Sequence, residues 1–249
     1  MEDFYGYPAS SAAGSWRRLR KVVLWPEKTR RLFRGRDTLP WVGRGRLLDL
    51  GCSAGGNLAK FQDHGWDVYG IEFSEVAVAQ ARERFGDRIH HGTLETAPFK
   101  DGFFDVVYLS HTLEHLFNPV ATLVRLRQLL QPEGMVVITV PNADSLEARL
   151  FGRWWVPWDP PRHLYHFGKE TLTKVLEQAG LHVVRMRTGV GSLYFITSLE
   201  RAWTQRFKRR LPARWLIERV VARPFCLLAG HLGQGTEITV YAVKDGVRG

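Results

Sequence analysis

The stretch Arg46–Asn57, with the sequence RLLDLGCSAGGN, decides the fold. Its first five residues form a short apolar run, typical of a strand that is buried on both faces of a parallel sheet. The glycines that follow let the backbone turn tightly and approach a ligand closely, because no Cβ stands in the way. Residues 55–64 then have the pattern of a helix, whose N-terminus favours negative charge. This order predicts a ligand site, although a purely structural turn gives the same pattern.

Strands and helices alternate along the rest of the chain. The predicted strands cover residues 67–71, 88–91, 104–109, 135–140, 181–186 and 236–243. The predicted helices run from a Ser74 cap to residue 85, from Asn118 to 130 and over 169–179, with a turn at 132–134. This alternation indicates a parallel sheet with helices on both faces.

Glu72 follows the second predicted strand, about twenty residues after the glycine turn. A carboxylate at this position can accept hydrogen bonds from both ribose hydroxyls of a nucleotide cofactor. A solvated acid at the end of a strand is the alternative. Together with the glycine turn, Glu72 favours a nucleoside ligand. The glycine order, GCSAGG after Asp49, differs from the GxGxxG of dinucleotide folds.

Over residues 46–190 the chain resembles the class I S-adenosylmethionine-dependent methyltransferases. Its motif sequences are most similar to those of the branch with the ubiquinone-type O-methyltransferases. The resembling segments are Asp49–Gly55 (motif I), Ile71–Ser74, His91–Phe99, Phe104–Ser110 (motif II), Thr112–Leu116 and Gln131–Met135. The resemblance implies an α/β, Rossmann-like, doubly wound sheet of seven mostly parallel strands in the order 3-2-1-4-5-7-6, the last strand antiparallel. It also implies S-adenosylmethionine as cofactor and S-adenosylhomocysteine as product.

The resemblance implies roles for single residues. Asp49 would orient the methionine amino group, and Gly51, Ser53 and Gly55 would wrap the methionine end of the cofactor. Glu72 would hold the ribose, and Phe73 would flank the adenine. The remaining implied cofactor contacts are Cys52, Asn57, Ser74, Thr93, Leu94, Glu95 and Ser110. Two positions depart from the family pattern, because Ser53 replaces a glycine and Thr93 stands where an aspartate is usual.

Histidines supply the predicted catalytic groups, since methyl transfer to a hydroxyl requires removal of its proton. His111 and His115 follow the fourth strand, and the resemblance places His111 with Ser110 on the sulfonium side. His163 and His166 belong to Asp159–Phe167 (DPPRHLYHF), which resembles a PRHLxHF segment of the same branch. Structural histidines that tie a loop to the sheet are the alternative. No metal is expected, because no acidic or cysteine partner has a telling spacing.

Composition and charge suggest how the 249 residues divide. We predict a basic and aromatic arm over 1–45, with a helix at 15–34, which serves the acceptor side or acts as a lid, and a cofactor-binding core over 46–191. A basic, amphipathic helical insert follows over 192–232, and the last strand and tail over 233–249. The formal net charge of +10 is concentrated in the arm and the insert, outside the predicted core. Such a surface attracts anions.

Two cysteines exclude a disulfide framework, and neither a secretory leader nor an apolar run of about 20 residues is seen. We therefore expect a cytoplasmic protein. The insert is either a lid packed on the core or a weak contact to acidic membranes. The predicted activity is methyl transfer to a small-molecule, lipid-linked or saccharide acceptor. An RNA methyltransferase, a nicotinamide-dependent oxidoreductase and a catalytically silent cofactor-binding scaffold are the alternatives, and nucleic acid is not the expected partner.

Overall fold

The computed structural model describes residues 39–189 and 191–244. The predicted helix at 15–34 and most of the arm lie outside the described residues. The chain forms two compact units. Of the described residues, the first unit takes in 39–108, Val124–Val136 and 243–244, and the second takes in Leu109–Leu123 and the described part of Val137–Ala242.

Seven strands form one sheet in the order β3-β2-β1-β4-β5-β7-β6, with the last strand antiparallel, which confirms the predicted fold class and strand order. The strands are β1 (Arg46–Leu50), β2 (Asp67–Glu72), β3 (Ile89–His91), β4 (Phe104–Ser110), β5 (Leu130–Pro141), β6 (Leu181–Gly189) and β7 (Glu237–Lys244). The α-helices are α1 (Gly56–Asp63), α2 (Glu75–Phe85), α3 (Pro119–Leu129), α4 (Leu146–Phe151), α5 (Lys169–Gln178), α6 (Leu193–Phe207), α7 (Arg214–Ile217) and α8 (Arg223–His231).

In the first unit, β1 lies between β2 and β4 and pairs in parallel with both. Leu47 and Leu48 are completely buried, as the apolar run predicts. The chain leaves β1 in a turn that stays attached to β2, because the backbone N–H groups of Gly51 and Cys52 both donate to the carbonyl of Ile71 (2.8 and 3.2 Å). The glycine turn is thus fixed at the carboxyl ends of two neighbouring strands, where open α/β sheets bind their ligands.

In the second unit, a buried apolar cluster joins the segment after β5 to the insert. Its members are Ala148, Phe151, Trp155, Phe195, Ala222 and Cys226. Helix α4, which supplies two of them, was not predicted from the sequence. It begins after a Ser145 cap, whose hydroxyl accepts from the Ala148 N–H (3.0 Å). The insert is helical as predicted, and Pro212 lies in the break between α6 and α7.

The predicted turn at 132–134 is wrong as an element boundary, because β5 already begins at Leu130. The chain still bends tightly inside the element. A Cβ on Gly134 would lie 2.9 Å from the Leu130 side chain and 3.0 Å from the Gln131 carbonyl oxygen. A side chain at this position would therefore be tightly placed within the strand. Among the described residues, no helix has the length and apolar character needed to cross a membrane.

Candidate functional site

Three alternate residues of the glycine turn have left-handed backbones. The φ angles are +78° at Gly51, +49° at Ser53 and +83° at Gly55. At Gly55 a Cβ would also lie 2.7 Å from the Phe85 ring, so that this glycine is required twice over. Ser53 adopts the conformation usual for a glycine, at a backbone cost of roughly 1 kcal/mol. The departure from the family motif therefore preserves the shape of the turn.

Asp49 is the most unusual group at this turn. Its side chain is 1% exposed, and neither carboxylate oxygen has a hydrogen-bond partner among the described residues. Burial, followed by the nearby charge of Glu72, raises the pKa of Asp49 from 3.8 to about 8. A buried carboxyl group without partners is costly unless a ligand supplies a donor or a positive charge. The amino group of a methionine moiety carries both.

Glu72 fastens the glycine turn to the end of β2. Its Oε2 accepts from the Ser53 N–H (2.8 Å), and its Oε1 accepts from the N–H groups of Phe73 (2.9 Å) and Ser74 (2.8 Å). The carboxylate therefore faces the turn, as the sequence predicts for a ribose acceptor. It also has a positioning function that the sequence does not reveal. The ribose contact itself stays a prediction.

The segment after β3 is attached to the same edge. The Gly92 N–H donates to the Glu72 carbonyl (3.0 Å), and the His91 ring lies in hydrogen-bond contact with the Phe73 carbonyl (3.2 Å). Phe73 is 77% exposed, so its ring is available to a ligand. The hydroxyl of Thr93 is the main reason that the pKa of Glu95 is lowered. The structure thus brings the predicted adenine segment beside the predicted ribose carboxylate.

Other predicted cofactor residues have structural contacts of their own. The side chains of Cys52 and Leu94 are buried in the core, and burial raises the pKa of the Cys52 thiol. The Ser74 hydroxyl caps α2 by accepting from the Ala77 N–H (3.4 Å). Asn57 is half-buried in the first turn of α1. Their contacts with a cofactor stay predictions.

In the second unit, the chain after β4 carries His111. Its ring nitrogens lie 3.5 Å from Glu114 Oε1 and 3.3 Å from Glu237 Oε1. Burial lowers the pKa of His111, but the two carboxylates outweigh this effect and raise it to about 10. The raised pKa favours the imidazolium form, which donates a proton, and the catalytic role of His111 stays a prediction. Ser110, just before it, accepts from the Thr112 hydroxyl at its carbonyl (3.2 Å).

Glu114 gathers two further predicted histidines. The backbone carbonyl of Glu114 accepts from the N–H groups of Leu164 (2.8 Å) and Tyr165 (3.2 Å), which attaches the DPPRHLYHF segment to the chain after β4. The rings of His115 and His163 lie edge to face with centroids 4.7 Å apart. Burial is the main reason that the pKa of His163 is lowered. The fold thus brings the imidazole of His163 close to Glu114 and His115, which lie about fifty residues earlier in the chain.

His166 lies apart from this group. Its ring centroid is 6.5 Å from that of His163, and its Nε2 donates to the Trp158 carbonyl (2.9 Å). It also packs edge to face against the Trp158 ring at 4.8 Å. These contacts match the alternative in which a histidine ties a loop to the domain. Its predicted catalytic role is untested.

Two features of the second unit were missed by the sequence analysis. Glu237, at the start of β7, contributes a carboxylate to His111, and an acid at the start of a mostly apolar strand is the signal that could have revealed it. A cleft of about 390 Å³ is lined in part by Lys169, Arg187 and His231. None of the predicted site residues lines it.

Comparisons with known proteins show which family the chain belongs to. A family model described as a methyltransferase domain matches residues 16–186. The chain is 36% identical over 106 residues to an uncharacterized 37.1 kDa protein in transposon TN4556 of Streptomyces fradiae, covering 40% of this chain and 31% of that protein. It is 30% identical over 167 residues to a ubiquinone biosynthesis O-methyltransferase of Aromatoleum aromaticum, covering 59% of this chain and 71% of the relative.

Solved structures share the fold. A crystal structure of an S-adenosylmethionine-dependent methyltransferase from Mesorhizobium loti aligns with a TM-score of 0.57 at 20% identity. The alignment covers 82% of this chain and 93% of that protein. At this identity the likeness concerns the fold alone.

Proposed function

Because the chain belongs to the class I S-adenosylmethionine-dependent methyltransferase family, we propose that it transfers a methyl group from S-adenosylmethionine to an acceptor with a nucleophilic oxygen or nitrogen. The observation that carries the proposal is the Asp49 carboxyl, which is buried beside a left-handed turn and has no hydrogen-bond partner among the described residues. The cofactor supplies an electrophilic methyl group on a sulfonium and leaves as S-adenosylhomocysteine.

The residues of the first unit fit this cofactor. Asp49 would take the amino group of its methionine moiety, since an ionised carboxylate is the natural partner of an ammonium group. Gly51, Ser53 and Gly55 bring the backbone close to the ligand without side chains in the way. Glu72 holds the turn in place through Ser53 and would accept from the ribose with its remaining lone pairs. The exposed ring of Phe73 would cover one face of the adenine.

For the acceptor we propose a small molecule, a lipid-linked intermediate or a saccharide. The name of the Aromatoleum relative places it in ubiquinone biosynthesis as an O-methyltransferase, which favours a hydroxyl acceptor. The chain spans less than a third of the length of the Streptomyces relative.

We also propose that the insert touches acidic membranes. One face of α8 packs inward through Cys226 in the apolar cluster. Several large apolar side chains of the insert are exposed to solvent: Trp215 (66% exposed), Leu216, Val220, Val221, Leu227 and Leu228. Five arginines accompany them at positions 209, 210, 214, 219 and 223. Exposed apolar side chains among cations are typical of a helix in the interface of an acidic bilayer.

Methyl transfer is tested with S-adenosylmethionine labelled in its methyl group and an extract divided into small-molecule, lipid, saccharide and RNA fractions. The expected result is label in one of the first three fractions with wild-type protein and none with Asp49→Asn. Label confined to RNA would favour the alternative acceptor class. No label above the variant in any fraction would contradict the proposed activity.

A further inference from the structure

We infer that Glu114, His115 and His163 form a binding site for a divalent transition-metal ion. Each residue offers a ligand atom, and the three atoms lie within 4.8 Å of one another. This separation is reached because the Glu114 carbonyl accepts from the backbone of Leu164 and Tyr165, which brings the second histidine to the first. All three residues belong to the second unit, so the site rests on contacts within one compact body.

The backbone fixes both imidazoles in a tautomer that can bind a metal through Nε2. The Nδ1 of His115 lies 2.9 Å from the Arg162 carbonyl, and the Nδ1 of His163 lies 2.6 Å from the Pro157 carbonyl. A carbonyl only accepts, so each Nδ1 carries the proton, and in the neutral ring each Nε2 keeps its lone pair. Metal-binding histidines almost always donate their other N–H in this way, which orients the ring. The two rings are thus prepared as Nε2 ligands.

The third ligand is a deeply buried carboxylate. Glu114 is 1% exposed, and neither of its carboxylate oxygens has a hydrogen-bond partner among the described residues. His111 lies 3.5 Å from Oε1 and compensates part of the charge. The carboxylate still lacks the full set of donors that a buried anion needs. A cation bound by Glu114 and the two Nε2 atoms would give this carboxylate the direct contacts that His111, at 3.5 Å, does not provide.

The donor set indicates the class of ion. Two imidazole nitrogens and one carboxylate oxygen suit zinc or a neighbouring divalent metal, whereas calcium and magnesium prefer oxygen ligands alone. Three protein ligands leave at least one coordination position open, as in sites that bind water or a substrate oxygen. His163 Nε2 also lies 4.0 Å from Asp159 Oδ2, so that a second carboxylate borders the site.

The proposal differs from the expectation drawn from the sequence, which found no acidic partner at a telling spacing. His115 and His163 lie 48 positions apart, and Glu114 next to His115 is not a recognisable motif. Only the fold brings the donors together. The proposal stands whether or not the chain transfers methyl groups, because it concerns the binding of an ion.

Zinc binding to the metal-depleted full chain tests the site by calorimetry, with cobalt absorption as a second signal. We expect one ion per chain and visible cobalt bands typical of a nitrogen and oxygen donor set. Glu114→Gln and His163→Gln should each weaken binding at least about 100-fold, since ligands matter no less than the groups that orient them. The matched control is His64→Gln, which removes an exposed histidine of the first unit that bonds the Lys60 carbonyl, and it should bind zinc as wild type does.

A measurement on the wild-type chain guards against variants that fail to fold. In ¹⁵N imidazole spectra, zinc should shift Nε2 of His115 and His163 and leave their Nδ1 atoms protonated. Binding of less than about 0.1 ion per chain, zinc shifts at other histidines only, or unchanged affinity in both folded ligand variants would overturn the proposal.

Discussion

Replacing Asp49 with asparagine should stabilise the empty protein and abolish cofactor binding. In the folded chain the pKa of Asp49 is raised from 3.8 to about 8, chiefly by burial. The folded state therefore holds a proton that the unfolded state has lost, and stability decreases as the pH rises from about 4 through about 8. Asparagine has no charge to desolvate, so the stability of the variant should not fall in this way as the pH rises.

The size of the effect follows from the two pKa values. The difference in free energy of unfolding between Asp49→Asn and wild type should increase by about 1.4 kcal/mol for each pH unit between 4 and 8. Above pH 8 the gain should stay constant, at most about 6 kcal/mol. Urea unfolding at pH 5.5, 6.5, 7.5 and 8.5 measures it. A gap that does not change with pH would refute the reasoning.

A matched control uses a second buried aspartate of the same unit. Asp105 accepts from the N–H groups of Arg44 (3.0 Å) and Arg46 (2.9 Å) through its Oδ2. Asp105→Asn should lower stability by about 1–3 kcal/mol, because two backbone donors lose a charged acceptor. The two aspartate variants should thus change stability in opposite directions.

The same carboxyl should report on cofactor binding. With a pKa near 8, Asp49 is mostly protonated at pH 7, and a ligand ammonium group should drive off close to one proton. Calorimetry of S-adenosylhomocysteine in phosphate and in Tris detects the proton, because the two buffers differ in ionisation enthalpy. Asp49→Asn should release none and bind at least about 100-fold more weakly, which corresponds to roughly 3 kcal/mol.

Three further predictions concern other parts of the chain. Gly55→Ala should lower stability by about 1–3 kcal/mol in thermal unfolding, because its Cβ meets the Phe85 ring at a left-handed φ, whereas Gly56→Ala has nothing within 4 Å and should cost none. Burial raises the pKa of Glu147 to about 7, so the wild type should lose stability as the pH rises from 5 to 8, and Glu147→Gln should lose less. Equal losses in the two proteins would contradict the raised pKa. Trp215→Ala should cut sedimentation with anionic vesicles several-fold at low salt without changing the melting temperature; undiminished sedimentation would argue against the insert as a membrane contact.

Much of the first unit follows from local sequence. The apolar run of β1, the glycine turn and Glu72 are neighbours in the sheet because the strands are parallel and consecutive, so short-range patterns place them together. Their contacts were less predictable. Nothing in the sequence shows that Asp49 has no hydrogen-bond partner within the described part of the chain or that Glu72 binds the Ser53 N–H, since both depend on the path of the backbone through the turn.

The second unit was harder to predict, because its groups come from distant positions. Glu237 reaches His111 across more than a hundred residues, and His163 reaches His115 across about fifty. Helix α4 is only six residues long, too short for an apolar period to emerge. The histidines were recognised as chemically important, but the sequence does not distinguish those that surround Glu114 from His166, which binds the backbone.

Calorimetry of the wild-type chain with S-adenosylmethionine, S-adenosylhomocysteine and NAD tests the proposed cofactor site most directly. We predict that the two S-adenosyl ligands bind at one site per chain, with release of a proton at pH 7, and that NAD does not bind. Binding of NAD alone, or of none of the three, would contradict the assignment of the glycine turn, Asp49 and Glu72 to this cofactor.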